Sequence, residues 1–76
     1  PEYSLGVAYE KGQGMPQDFV RAYMWFTLAA AALSGDSGDT ATKNRDRIAS
    51  KMTAEQIATA QEMARRCQES KLKNCD

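Results

Sequence analysis

The strongest constraint on how this chain folds is the segment DFVRAYMWFTLAAAAL, Asp18–Leu33. Phe19, Ala22, Tyr23, Phe26, Ala29, Ala30 and Leu33 recur at helical spacing. Val20, Met24, Leu28 and Ala31 extend that stripe, and Trp25 widens it further. A helix that is apolar nearly all round must be covered by neighbours on several sides. The consecutive alanines Ala29–Ala32 favour helix and leave a flat surface that another helix can approach closely. No run of period two rich in β-branched residues competes, so the chain is expected to be all-α.

The preceding stretch, SLGVAYEKGQGMPQD, supplies the first neighbour. A helix is expected from Pro1 to Lys11, with Tyr3, Leu5, Ala8 and Tyr9 as its apolar members. Gly6 sits inside it, where glycine costs roughly 0.5–1 kcal/mol relative to alanine. Close approach to a partner helix, near Ala22 or Trp25, would offset that cost. Gly12 suits the left-handed residue that ends many helices. Gly14 and Pro16 turn the chain back, and Asp18 falls in the first turn of the next helix, where a carboxylate complements the dipole.

Downstream, SGDSGD (Ser34–Asp39) reads as turn-forming, with a loop at 36–39, Gly35 capping the second helix and Asp39 capping the third. The third helix, Thr40–Lys51, carries a thin stripe of Ala41, Ile48 and Ala49, with Met52 just beyond it. Thr53 followed by Gln56 is a capping box, which places the start of a fourth helix. That helix, Ala54–Gln68, aligns Ile57, Ala60, Ala64 and Cys67 on one face and Glu55, Glu62, Arg65 and Arg66 on the other. Residues 69–76 read as a polar tail. The expected organisation is two antiparallel helix pairs, 1–35 and 40–68.

At this point the pattern of Leu5-Gly6, Tyr9, Gly12, Gly14, Asp18, Ala22, Trp25, Ala29 and Ala30 resembles one Sel-one-like repeat, a relative of the tetratricopeptide repeat. KNRDRIASKMTAEQIATAQEMARRC is similar to the segment that often closes such arrays in bacterial members. The resemblance implies a fragment of a right-handed α/α superhelix, or solenoid, and a scaffold or adaptor role toward another protein or peptide. In such a superhelix the first helix lines the concave side, where Tyr3 and Tyr9 are shared between core and groove; without a preceding repeat Val7, with parts of Tyr3 and Leu5, is exposed, and Tyr3, Val7 and Glu10 are the expected protein-binding residues. The second SGD departs from the pattern. It lengthens the link between helices two and three by about four residues, where stacked pairs use short fixed connections.

Chemistry is sparse. The chain has no histidine, which removes the commonest general base and metal ligand. Two cysteines are too few for a four-ligand zinc site. The spacing of Asp36, Asp39 and Asp46 does not match a calcium loop, and GQGMPQ lacks the lysine of a phosphate loop. Glu55 and Glu62 fall on a solvated face. No enzyme activity, metal or cofactor is therefore expected.

Cys67 and Cys75 are either bridged or two reduced thiols. A continuous helix would separate them by about 12 Å of rise, whereas a bridge needs Cα atoms within roughly 7 Å. Bridging thus requires the chain to leave the helix after Cys67 and fold back. It is the preferred reading, because a cysteine on an exposed tail serves no packing need. A bridge would imply an oxidising compartment, periplasmic or secreted.

The net charge of zero argues against general nucleic-acid or anionic-membrane binding. The charge is uneven: residues 1–39 carry a net −3 and residues 40–76 a net +3. Arg65, Arg66, Lys71 and Lys73 form a basic end that reads as a solvated helix terminus. The most apolar run, Trp25–Leu33, falls far short of the ~20 residues a membrane span needs. The start at Pro1 is what a mature or trimmed piece of a longer chain would show. A domain of this size buries only about 60% of its unfolded surface, so an unpartnered face on the first helix would invite an occupant. The second functional reading is accordingly a self-associating structural cap that pairs through the first helix.

Overall fold

The computed structural model describes residues 2–75. It contains four helices, α1 (Glu2–Lys11), α2 (Phe19–Ala32), α3 (Gly35–Ala49) and α4 (Ala54–Glu69), with no strand among the described residues. The all-α expectation holds. The expected helix start at Pro1 and the last residue of the tail, Asp76, lie outside the described residues.

α2 is the centre of the molecule. Its Ala22, Met24, Phe26 and Ala29 have no exposed surface, and Tyr23, Trp25 and Leu28 are also buried. α1, α3 and α4 each pack on α2. α3 and α4 hardly touch one another, so the second pair is joined through α2 and not by its own interface. Met24, Trp25 and Leu28 meet Ala64 and Cys67 of α4, with Leu5 and Tyr9 of α1 alongside. Ala22 and Phe26 meet Ile48 of α3, with Tyr3, Val7 and again Tyr9 alongside. Tyr23 reaches two neighbours: Gln61 Nε2 of α4 donates to its hydroxyl at 3.3 Å, and the Arg45 guanidinium of α3 lies 6.0 Å from its ring.

The turn between α1 and α2 is hydrogen-bonded at both ends. Gly12 adopts φ 70°, and Gln13 N–H donates back to the Ala8 carbonyl at 2.9 Å, which closes the end of α1. Asp18 N–H donates to the Tyr9 carbonyl at 2.9 Å. Its carboxylate accepts from Arg21 N–H at 3.0 Å, so Asp18 is the N-cap of α2 rather than a first-turn residue. The ideal Cβ position on Gly6 lies 2.9 Å from the Phe26 ring. The close approach expected of Gly6 is therefore made, but to Phe26 rather than Ala22 or Trp25.

The loop expected at 36–39 is helical, and so is Asp39, the expected cap. Leu33 and Ser34 alone separate α2 from α3, with Ser34 as the N-cap. This connection is short because Gly38 packs against the end of α2, where a Cβ would lie 2.7 Å from the Leu33 carbonyl oxygen. Thr40 and Thr42 hydroxyls donate to the Asp36 and Gly38 carbonyls and occupy their hydrogen-bonding capacity within the helix. The supposed extra link is thus the first turn of α3.

α4 begins at the capping box: Gln56 N–H donates to Thr53 Oγ1 at 3.1 Å and Thr53 N–H to Gln56 Oε1 at 2.9 Å. The segment after α4 is not a free tail. Ser70 Oγ donates to the Cys67 carbonyl and accepts from the Lys73 and Asn74 amides. Leu72 N–H donates to the Cys67 carbonyl at 2.9 Å. Lys71 and Leu72 take φ 57° and 67°, the left-handed pair that turns the chain. This loop brings Cys75 to bonding distance of Cys67, with Cα atoms 4.5 Å apart.

Gly6→Ala gains about 0.5–1 kcal/mol of helix propensity and loses about 1–3 kcal/mol to overpacking against a ring that cannot yield, so urea unfolding should show a net loss. Gly38→Ala, opposed by backbone, should lose about 2 kcal/mol or more, while the exposed Ser4→Ala stays within about 0.5 kcal/mol. Thiol titration of the denatured, unreduced protein should find no free thiol, and reduction should lower stability by about 2–3 kcal/mol. Two titratable thiols would refute the bridge.

Candidate functional site

The residues expected to bind a partner lie on the seam between α1 and α3. Tyr3 stacks edge-on against Phe26, with centroids 5.5 Å apart at 70°, and its hydroxyl accepts from Asn44 Nδ2 at 2.8 Å. Arg47 Nη2 donates to Asn44 Oδ1 at 3.3 Å and to Glu10 Oε1 at 3.0 Å, while Nη1 donates to Glu10 Oε2. Tyr3, Asn44, Arg47 and Glu10 thus form one hydrogen-bonded chain that fixes α3 against α1. Gln17 Nε2 adds a bond to the Glu10 carbonyl at 2.7 Å.

Glu10 therefore faces inward. Its side chain is only 10% exposed, so it is not an open contact for a partner. The Arg47 hydrogen bonds hold its carboxyl below the usual carboxylate range, against the opposing effect of burial. Arg47 is shifted up by the same bonds. Val7 is half-buried against the Phe26 cluster. Nothing in sequence spacing alone could place the acidic Glu10 in the interior, because its partner lies 37 residues away.

Tyr3 alone among the three expected residues lines an open groove. That groove, about 240 Å³, is formed with Leu33, Asp36, Ser37 and Thr40. A second groove of about 260 Å³ lies on the other side of the α2 terminus, between Glu2, Leu28, Ala31, Ala32, Gln68 and Leu72. Leu33 is 42% exposed and Leu72 50%, the large exposed hydrophobic residues among those described. Helical periodicity assigned Leu33 to the buried stripe of α2. It escapes because α2 ends at Ala32 and Leu33 is already extended. Leu72 was hidden in a polar tail, although an apolar residue between two lysines is a visible signal.

The other motif residues serve the fold. Leu5 and Tyr9 pack beside Trp25, and Ala22, Trp25 and Ala29 are core, with Ala30 half-buried. Gly14 lies in the exposed turn with φ 78°. The Trp25 indole N–H is buried without an acceptor among the described residues, so Trp25 acts through packing. The basic end is partly neutralised: Arg65 bonds to Glu62 and Glu69, and Arg66 Nε to Glu62 at 3.0 Å. These bonds hold the Glu62 carboxyl below its usual range. Among the described residues, no group of three or more His, Cys, Asp or Glu side chains is placed to hold a metal ion. No helix among them is long and apolar enough to cross a membrane.

Residues 2–32 match the family model of the Sel1 repeat, a match that spans α1, the glycine turn and α2. No curated protein and no solved structure matches the chain.

The Glu10–Arg47 pair has a signature in pH. Glu10 is shifted below its ordinary 4.5, so its contribution is complete above that value and is lost as pH falls through the lower, folded value. Glu10→Gln should cost about 1–2 kcal/mol at neutral pH, since Arg47 remains half-exposed. The gap between wild type and variant, measured by urea unfolding, should close as pH falls below the ordinary carboxylate range. Acid loss from Glu62 is common to both proteins and cancels in the difference. A gap that stays constant with pH would refute the role of the pair.

Proposed function

The chain carries a Sel1 repeat over residues 2–32, and we propose that it works as a protein–protein interaction module, a scaffold or adaptor with no chemistry of its own. Sel1 repeats are generally protein-interaction modules and are non-catalytic. The observation that carries the reading here is the groove beside the start of α1, with Leu33 exposed at its wall. An exposed leucine at the wall of a concave surface gives a partner an apolar anchor there. Tyr3 offers a ring anchored by Phe26 and Asn44, and α3 offers the Ser37 hydroxyl and the Asp36 carboxylate. Such a groove suits an extended or helical segment with one apolar anchor.

The bridge between Cys67 and Cys75 supports an oxidising location, periplasmic or secreted. The same reading assigns no role to nucleic acid, metal or cofactor.

Selection of displayed peptides on the immobilised chain tests the proposal. Enriched sequences should share an apolar anchor and should lose about ten-fold or more in affinity to Leu33→Asp, the scale expected when one leucine contact is removed. Thr40→Arg, on the exposed wall of α3, provides a second variant should Leu33→Asp fail to fold. Failure to enrich any sequence, or equal binding by both variants, would overturn the assignment of this groove.

A further inference from the structure

The two exposed leucines lie at the same end of the molecule. Glu2 lines one groove and Tyr3 the other, and both grooves border the C-terminal part of α2. At this end Leu72 is exposed beside Ala31 and Ala32, flanked in sequence by the exposed Lys71 and Lys73, of which Lys73 lines a neighbouring groove with Arg21, Arg66 and Asn74. Neither lysine makes an ion pair among the described residues. The groove at Leu33 carries the opposite charge. Asp36 lines it and Asp39 lies one helical turn further along α3, both exposed and neither ion-paired among the described residues. The two charge sets do not pair with each other within one chain.

We propose that a second copy of this chain is the occupant of the Leu33 groove, inserting Leu72 while Lys71 and Lys73 pair with Asp36 and Asp39. The inference rests on the reading of that groove as a protein-binding site and names its partner. Size is compatible: cavities of about 150 Å³ accept benzene, so a groove of about 240 Å³ accepts a leucyl side chain. Order is compatible as well. Lys71 and Leu72 are held in left-handed conformations by the Ser70 bonds and by the closure at Cys75, so little freedom is lost on docking. Because knob and groove share one end, the contact can be made twice about a two-fold axis, giving a closed dimer instead of a filament. The small apolar area makes this a weak, salt-sensitive association.

Sedimentation velocity across about 10 µM to 1 mM provides the test. Wild type should pass from monomer to dimer, with the midpoint rising about ten-fold or more in Leu72→Asp, after reduction of the disulfide, or in high salt. Lys71→Asp with Lys73→Asp should dissociate the dimer, as should Asp36→Lys with Asp39→Lys, and an equimolar mixture of these two charge-reversed proteins should associate again. The exposed charge reversals keep the test open if Leu72→Asp does not fold. A strict monomer over the whole range, or a dimer indifferent to these changes, overturns the inference. A monomer whose groove still needs Leu33 to hold selected peptides also overturns it, while leaving the interaction-module reading intact.

Discussion

Everything in this molecule depends on covering one helix. α2 is buried at every residue from Ala22 to Ala29 except the half-buried Thr27, with Ala22, Met24, Phe26 and Ala29 wholly enclosed. No single partner can do that, because a helix packed on one neighbour buries only one stripe. Three helices are needed, and each contributes a thin apolar stripe because α2 supplies most of the apolar area. That explains why α3 can hold with little more than Ala41 and Ile48 buried, and why α4 can hold with Ala60, Ala64 and Cys67.

Close packing around such a hub sets demands on backbone as well as side chains. Gly6 and Gly38 mark the places where α1 meets the Phe26 ring and where α3 meets the end of α2. Each forfeits helix propensity and gains proximity. The polar chain from Tyr3 to Glu10 then sets the register of α3, which shape alone leaves loosely defined. A buried carboxylate with a bidentate guanidinium has one good geometry, and sliding α3 by a turn would strand Glu10 without its partner.

Much of this was legible in the sequence because it is local. The apolar periphery of α2, the stop at Gly12 and the Thr53–Gln56 box are each written within a few residues. The bridge to Cys75 was favoured because a cysteine on an exposed tail serves no packing need, and helix geometry then required the chain to leave α4 after Cys67. What was not legible depends on contacts across the chain. SGDSGD carries turn formers that, in isolation, compete with helix. Here Ser34 takes the N-cap position in extended backbone without a side-chain bond, Asp36 sits in the favourable first turn and Gly38 becomes an asset through a contact with Leu33 that propensity does not register. Glu10 looked like a solvated acid on the concave face and became an interior group because Arg47 reaches it. The candidate surface moved accordingly, from the middle of α1 to its first turn and the two leucines beside the end of α2.

The central position of α2 also imposes an order on how the structure comes apart. α1 and α4 each lean on α2, and α3 and α4 make almost no contact of their own. Release of α4 therefore need not dislodge α1 and α3, which the chain from Tyr3 to Glu10 ties together, whereas loss of α2 removes the surface on which all three rest. The amide hydrogens of α2 accordingly exchange with solvent through global unfolding, and those of the outer helices through smaller openings. A protein of 76 residues is thus organised as one enclosed spine with flanks that rest on it. Its outer helices can fluctuate or adjust to a bound partner while the spine keeps the chain folded.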